Sequence, residues 1–418
     1  MTATVTTSTK QHHADGAIEG PGALEGVRVL DLTHQVAGPS ATLALAFMGA
    51  DVVKVVPPGD RSSFTNLPFY LNSVSKRSIA LDLKSDEGRE TLLRLAAEAD
   101  VMIENFGPGV IERLGLTYDV VREVNPAIIY AQIKGFAPGS AQERFPCFDP
   151  IVQAYAGASS VTGEPDGLPQ KPGPDVGDTG TGMVMAIGLL AALFQRQQTG
   201  KGQHLQLAMS DQVATFMRLH FAWPMSKGID TPRFGNVAPF LEPVAPSGLF
   251  HCDPFGPNDY VHIHVGNDKQ WRGLLTAMER EDLLDDPRFV SQTTRGEHKA
   301  EVDDIVAAWA GKRSKIDAMM VLGAAGVPAG AVRTTTEVLE DEDLRERGIF
   351  VPVPHPELGE AVIPAWPIKM SGTPIRVEAP REPGSDLDEV LAEWLGTDRA
   401  AAGPVGAEPN AREGALHG

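Results

Sequence analysis

"VRVLDLTHQVAGPSATLALAFMGADVVKVV", residues 27–56, decides the fold. Its opening "VRVLDL" (27–32) is a short run of β-branched and aliphatic residues, the composition of a buried strand. "PSATLALAFMGA" (39–50) reads as a helix with Pro39 in its first turn, where a missing N–H costs nothing. "DVVKVV" (51–56) is a second buried strand. Two strands bracketing one helix lie parallel, because the crossover carries the chain back to the end of the sheet where the first strand began. The alternation continues outward. "SIALDL" (78–83), "DVMIEN" (100–105) and "AIIYAQI" (127–133) read as further strands. "SDEGRETLLRLAAEA" (85–99) is an amphipathic helix with Ser85 as N-cap and acids in its first turn. The expectation is an α/β fold built on a parallel sheet covered on both faces.

Residues 184–196, "VMAIGLLAALFQR", are apolar nearly all round and belong in the core or in a subunit interface. Residues 223–250 carry five prolines and weak periodicity, the texture of a linker. A smaller α+β unit follows at 251–335, with a strand at 260–265 and helices near 268–278, 298–311 and 314–326. Residues 350–372 resemble a β-hairpin, and 385–396 form a last helix. The ends, 1–22 and 397–418, read as disordered tails.

A chain of 418 residues is long for one core, so two domains are expected. The net charge of −19 argues against a nucleic-acid partner, which needs a concentrated basic surface. No apolar run approaches the roughly 20 residues that cross a bilayer, so no membrane partner is expected. The two cysteines, Cys147 and Cys252, give neither a disulfide framework nor a zinc spacing, and point to a cytoplasmic location.

The chemistry concentrates in "PDVGDTGTGMVMAIGLLAALFQ" (174–195), where Asp178 stands among glycines ahead of the apolar helix. Two readings are open. Asp178 caps the helix, or it is a nucleophile whose ionised form is favoured by N–H donors and the helix dipole. Gly177, Gly180 and Gly182 either admit a substrate carbonyl or allow close helix packing. Asp149, followed by Pro150, has the pattern of another N-cap. "GDTGTG" lacks the dinucleotide spacing, and no phosphate-binding G-x-x-x-x-G-K-[ST] or serine-hydrolase G-x-S-x-G occurs. His262 and His264 alternate on one strand without a third partner, and His12–His13 lie in the tail, so no metal site is expected.

These segments in this order resemble the class III CoA-transferases, the family of formyl-CoA transferase. The likeness rests on 24–55, 75–115, 176–209 and "GNDKQW" (266–271), and runs from about residue 23 to 396. It implies an interlocked homodimer of Rossmann-like subunits. The large CoA-binding domain would take residues 23–222 and be completed by a return segment at 336–396. The resemblance places the nucleophile at Asp178 and an accessory acid at Asp149. It puts CoA against Val36, Ala37, Lys84, Asn105, Phe106 and Arg113, with Gln35 and Phe148 at the substrate pocket. Coenzyme A esters are then substrates, with no tightly bound cofactor, and CoA passes from an acyl-CoA to a carboxylic acid. Backbone N–H groups near the glycines would stabilise the oxyanions.

The chain departs from formyl-CoA transferase in several places. Val36 stands where that enzyme has glutamine, with Gln35 shifted by one. Pro57 and Pro146 replace basic residues, and "APSGLF" (245–250) replaces a glycine run. Phe64, Phe69, Tyr70 and Phe148 suggest a roomier, more apolar pocket or ordinary core packing. An α-methylacyl-CoA racemase is the alternative on the same fold, but its histidine falls on Phe148, which takes no proton. A non-catalytic CoA-ester-binding protein is the third reading.

Overall fold

The computed structural model describes residues 20–237 and 244–396. The expected tails lie outside these residues except at 20–22. The chain forms two compact units, one of Met1–Ile133, Gly182–Gln206 and Ile368–Gly418, the other of Lys134–Thr181 and Leu207–Pro367. This partition differs from the expected one. Residues 134–181 and 207–222 join the unit that holds the small α+β part, and the C-terminal return begins at Ile368 rather than at 336.

The first unit is organised on β1 (Arg28–Asp31), β2 (Asp51–Val56), β3 (Arg77–Ala80), β4 (Val101–Glu104), β5 (Ile129–Lys134) and β6 (Gln203–Ala208), in the order β3-β2-β1-β4-β5-β6. β1 pairs in parallel with both β2 and β4, β2 with β3, and β4 with β5. The apolar run of 51–56 becomes a strand over its full length, and β4 is buried throughout. The predicted helix at 85–99 is found at Asp86–Glu98, with the Ser85 side chain accepting the Gly88 N–H as its cap. Its Leu92 and Leu95 pack on Leu30, Val53 and Met102 of the sheet, together with Val390 and Trp394 of the helix Leu387–Leu395. That returning segment is also tied to the edge strand, since Asp386 Oδ2 accepts the Ser78 N–H at 2.7 Å.

The sheet order reverses between β1 and β4, so the loops that follow these strands diverge to opposite sides. Such a switch point leaves a crevice at the carboxyl ends of the strands, the usual place for a ligand in this architecture.

The helix Asp178–Thr199 is longer than the apolar stretch that predicts it. By length and composition alone it is apolar enough to cross a bilayer, a test that the core helix of any fold can pass. Its Met185, Ala186, Leu189, Ala192 and Leu193 are nevertheless buried in the fold, as in any core helix. Ile187 and Phe194 on the same helix are exposed.

In the second unit, β7 (Ser247–His251), β8 (Tyr260–His264) and β9 (Ala329–Ala331) form an antiparallel sheet in that order. The helices Asp268–Met278, Lys299–Ala310 and Lys315–Ala324 enclose a core of Val261, Ile263, Trp271, Leu274, Val306 and Leu322 with it. The expected hairpin is present as β10 (Phe350–His355) and β11 (Gly359–Pro364).

Candidate active site

Asp178 is the first residue of its helix, not the residue before it. The capping role expected of it falls elsewhere. A capping side chain folds back from a non-helical backbone onto the free N–H groups, which a residue already in the helix is poorly placed to do. No hydrogen bond reaches the Asp178 carboxylate among the described residues. The N–H groups at this turn are instead taken by Asp149, whose Oδ1 accepts from Gly177 N at 2.8 Å and from Asp178 N at 3.2 Å. Both amides are thereby committed, which removes them as the oxyanion donors that the sequence suggested.

Asp149 also differs from its expected place. It is the first residue of the helix Asp149–Tyr155, with extended Phe148 at the N-cap and Pro150 second. Its Oδ2 accepts from Gln153 Nε2 at 2.6 Å, one turn along, and lies 3.5 Å from Lys171 Nζ. Lys171 also meets Asp175 Oδ1 at 2.9 Å. Asp149 is 4% exposed, and Gln153 is fully buried beside it.

The glycines around Asp178 serve packing. A Cβ at Gly177 would stand 2.7 Å from Val152 Cγ2 and 2.9 Å from Asp149 Oδ1. One at Gly180 would meet Gln212 Nε2 at 2.8 Å and Phe216 Cε2 at 2.9 Å. One at Gly182 would meet Ser40 Cβ at 2.6 Å and the Ala37 carbonyl oxygen at 2.7 Å. Each of the three faces protein atoms, so the close-packing reading holds.

Burial pushes the Asp178 carboxyl up to about 6, the charges of Asp149 and Asp175 add to this, and Lys171 opposes it. This direction is the reverse of the one expected from the helix dipole, because desolvation and two neighbouring acids outweigh it. At pH 7 the group is still mostly ionised, and its basicity is higher than that of an ordinary carboxylate. Burial likewise pushes the Cys147 thiol up to about 11, with the Asp178 charge contributing.

In the first unit the chain after β1 carries Gln35, Val36 and Ala37, and the chain after β4 carries Asn105 and Phe106, on the two sides of the switch point. Asn105, directly after β4, locks the loop after β1: its Oδ1 accepts from His34 N at 2.7 Å and its Nδ2 donates to His34 O at 2.8 Å. The Phe106 ring lies 5.1 Å from the His34 ring. Gln35 adopts the left-handed region at φ 63°, turning the chain so that Val36 precedes the helix Ala37–Phe47. Free N–H groups at that helix start suit an electron-rich ligand atom. Lys84 and Arg113 occupy exposed positions after β3 and within the short helix Val110–Leu114. Phe148, in the second unit, is largely exposed.

A cleft in the first unit is lined by Thr33, His34, Gln35, Lys54, Asp60 and Asn72, with Phe69 at its wall. Of the aromatics singled out in the sequence, Phe69 lines this cleft, whereas Tyr70 is buried in the core. His34 is pulled down to about 4 by burial and by Lys54, so its ring is neutral at physiological pH.

Sequence reasoning passed over the ions beneath this cleft. Asp31 is fully buried between Lys54 and Lys76, at 3.4 and 3.2 Å. Burial raises its pKa, but the two lysines and the hydroxyls of Thr33 and Thr42 outweigh that and hold it well below the usual range. Burial brings Lys76 down to about 8. A charged residue inside each of two buried strands, Asp31 and Lys54, was the available signal. Gln153, four residues after Asp149 on an apolar helix, was another.

The family model described as CoA-transferase family III matches residues 24–389. Among curated proteins, formyl-CoA:oxalate CoA-transferase of Streptomyces coelicolor is 38% identical over 396 residues, covering 90% of this chain and 95% of that protein. The protein of the same name from Rhodopseudomonas palustris strain HaA2 is 34% identical over 400 residues, covering 90% of this chain and 94% of its own. Among solved structures, a CAIB/BAIF family protein from Brucella suis superposes with TM-score 0.80 at 29% identity, covering 90% of this chain and 100% of that one. Rv3272 from Mycobacterium tuberculosis gives 0.76 at 28% identity, covering 88% and 98%.

Proposed function

We propose, given that this chain belongs to CoA-transferase family III, that it moves CoA from an acyl-CoA to a carboxylic acid through covalent intermediates on Asp178. The observation that carries this reading is the state of the Asp178 carboxylate. It is unencumbered by hydrogen bonds among the described residues, raised to about 6, and fixed by its backbone to Asp149. A carboxylate that is ionised yet poorly solvated is a stronger nucleophile than one in water.

A carboxylate oxygen of Asp178 attacks the thioester carbonyl and CoA thiolate leaves, giving an acyl–aspartyl anhydride. The thiolate attacks the aspartyl carbonyl, releasing the donor acid as a carboxylate and leaving an aspartyl–CoA thioester. The acceptor carboxylate attacks that thioester, thiolate leaves again, and its attack on the acceptor's carbonyl yields the new acyl-CoA and frees Asp178. Every nucleophile and leaving group is an anion, so no step needs a proton. Asp149 therefore has no proton to deliver, and its two oxygens, engaged by Gly177, Asp178 and Gln153, suit an anchor. Keeping the acyl group activated requires that water be excluded.

Val36, Ala37, Asn105 and Phe106 at the switch point are the proposed CoA contacts, with Lys84 and Arg113 toward its phosphates. An interlocked homodimer, the arrangement the resemblance implies, would give a place to the exposed Phe145, Phe148, Tyr155, Phe216, Leu219 and Met225 of the second unit. Two free cysteines fit a reducing cytoplasm.

The test is a mass-spectrometric assay in D2O with a panel of acyl-CoAs and free acids, formyl-CoA and oxalate among them, run beside Asp178→Ala. New acyl-CoA species that vanish in the variant are expected. Deuterium entering the α-carbon without CoA exchange would favour the racemase instead.

A further inference from the structure

We infer that Gln153, Thr181 and Gln212 are positioning residues that clamp the peptide group ahead of Asp178 from both sides. The inference rests on the reading of Asp178 as the nucleophile. The peptide joining Gly177 to Asp178 offers one N–H and one carbonyl. The N–H is accepted by Asp149 Oδ1 at 3.2 Å, and the same oxygen takes Gly177 N at 2.8 Å. Asp149 is in turn oriented by Gln153, whose Nε2 donates to the other carboxylate oxygen at 2.6 Å. On the opposite side, Thr181 Oγ1 donates to the Gly177 carbonyl oxygen at 2.5 Å. Gln212 Oε1 stands 3.1 Å from that hydroxyl.

A threonine bonding back to the carbonyl four residues earlier is common in helices and by itself is no device. Three features set this one apart. Thr181, Gln153 and Gln212 are at most 2% exposed, so their polar groups were buried at a cost that the internal hydrogen bonds offset in part, Gln153 Oε1 being without a partner among the described residues. The chain around them has been cleared to fit: a Cβ at Gly177 would strike Asp149 Oδ1, and one at Gly180 would strike Gln212 Nε2. Finally, Thr181 has one hydroxyl proton. Given to Gly177 O, it leaves Oγ1 as an acceptor, and Gln212, whose Nε2 otherwise has no partner among the described residues, supplies the donor by turning its amide over. The relay then runs Gln212 N–H to Thr181 O–H to Gly177 O.

The consequence is kinetic. Asp178 attacks a carbonyl carbon and is later attacked at its own, so its carboxyl must hold one orientation toward two partners in turn. A displacement of about 1 Å at a reacting group costs on the order of 10²-fold in rate. The clamp residues are buried and their bonds go to protein atoms, so ground-state binding should survive their loss.

The experiment compares Thr181→Val, Thr181→Ser and Gln153→Met with wild type and with Asp178→Asn. It reads kcat and the acyl-CoA KM, with sites counted by calorimetric titration with CoA to remove any loss of folded protein. Thr181→Val and Gln153→Met are expected to lose tenfold or more in kcat per CoA-binding site with KM within about twofold. Thr181→Ser, which keeps the hydroxyl, should recover most of the rate. If kcat per site in Thr181→Val and Gln153→Met stays within twofold of wild type while Asp178→Asn is inactive, the clamp is wrong and the nucleophile stands. Equal impairment of the serine and valine variants also overturns the clamp. Full activity in Asp178→Asn overturns the reading of the nucleophile itself.

Discussion

Asp149 Oδ1 accepts the backbone N–H of Asp178 at 3.2 Å, so the two acids are joined through a main-chain amide rather than through a shared proton. Their charges still interact, and Asp149 is among the groups that raise the Asp178 pKa, after burial. Asp149→Asn keeps an oxygen acceptor for the two amides and removes the charge. The Asp178 pKa then falls, and the acid limb of kcat/KM, which reports the free enzyme, should move from about 6 to lower pH. Asp149→Ala removes the acceptor as well, and should lose a further factor of about 10 to 100 in kcat as the turn loosens. A pH–rate profile of both variants checks this, and an unmoved limb in the asparagine variant would count against the coupling.

Lys171 is the opposing charge. It meets Asp175 at 2.9 Å and Asp149 at 3.5 Å, and it lowers the Asp178 pKa. Lys171→Met should therefore shift the acid limb upward, the opposite direction to Asp149→Asn. Because Lys171 is partly exposed, added salt should shrink the difference between wild type and variant. The measurement is the same profile at low and high ionic strength.

The raised pKa of Asp178 is also a statement about stability. In the unfolded chain its value is 3.8, and in the fold about 6, so ionising it is harder in the native state. Its contribution is most favourable below pH 3.8 and is lost as pH rises through 6. Asp178→Asn removes that penalty, and should be more stable than wild type at pH 8 by about 1 kcal/mol, allowing for solvent screening of a half-buried group. The advantage should disappear near pH 4. Thermal melts of both proteins at the two pH values decide it.

Strand and helix types were legible where one residue pattern had one physical solution. The run 51–56 is too apolar for anything but a strand buried on both faces, and Ser85 followed by acids is a helix start. Asp178 was legible as a residue that mattered, but whether it capped its own helix was not. Which of two acids satisfies a helix N-terminus depends on a segment 29 residues away arriving beside it, and periodicity carries no such information. The same holds for Asp31 and Lys76, which are 45 residues apart and yet form one buried pair. The grouping of 134–181 with the second unit is of the same kind, since that stretch reads as a continuation of the alternating pattern until tertiary contacts assign it.

Two glycines two residues apart, and so on different faces of one helix, should respond differently to the same substitution. At Gly182 a new methyl would lie 2.7 Å from the Ala37 carbonyl oxygen and 3.0 Å from Ala41 N, both backbone atoms of a neighbouring helix. Backbone cannot swing aside, so the helices must move apart, and Gly182→Ala should cost about 1–3 kcal/mol of stability. At Gly180 the methyl meets the ends of two side chains, Gln212 Nε2 and Phe216 Cε2, at 2.8 and 2.9 Å. These can turn away, so Gly180→Ala should fold with a smaller loss. Displacing Gln212 removes the support of Thr181, however, and the loss should appear in kcat. Chemical denaturation together with steady-state kinetics separates the two: Gly182→Ala should be the less stable protein, and Gly180→Ala the slower enzyme per folded molecule. Equal behaviour of the pair would mean that the helix relaxes as a unit and that the Gln212 contact has no bearing on rate.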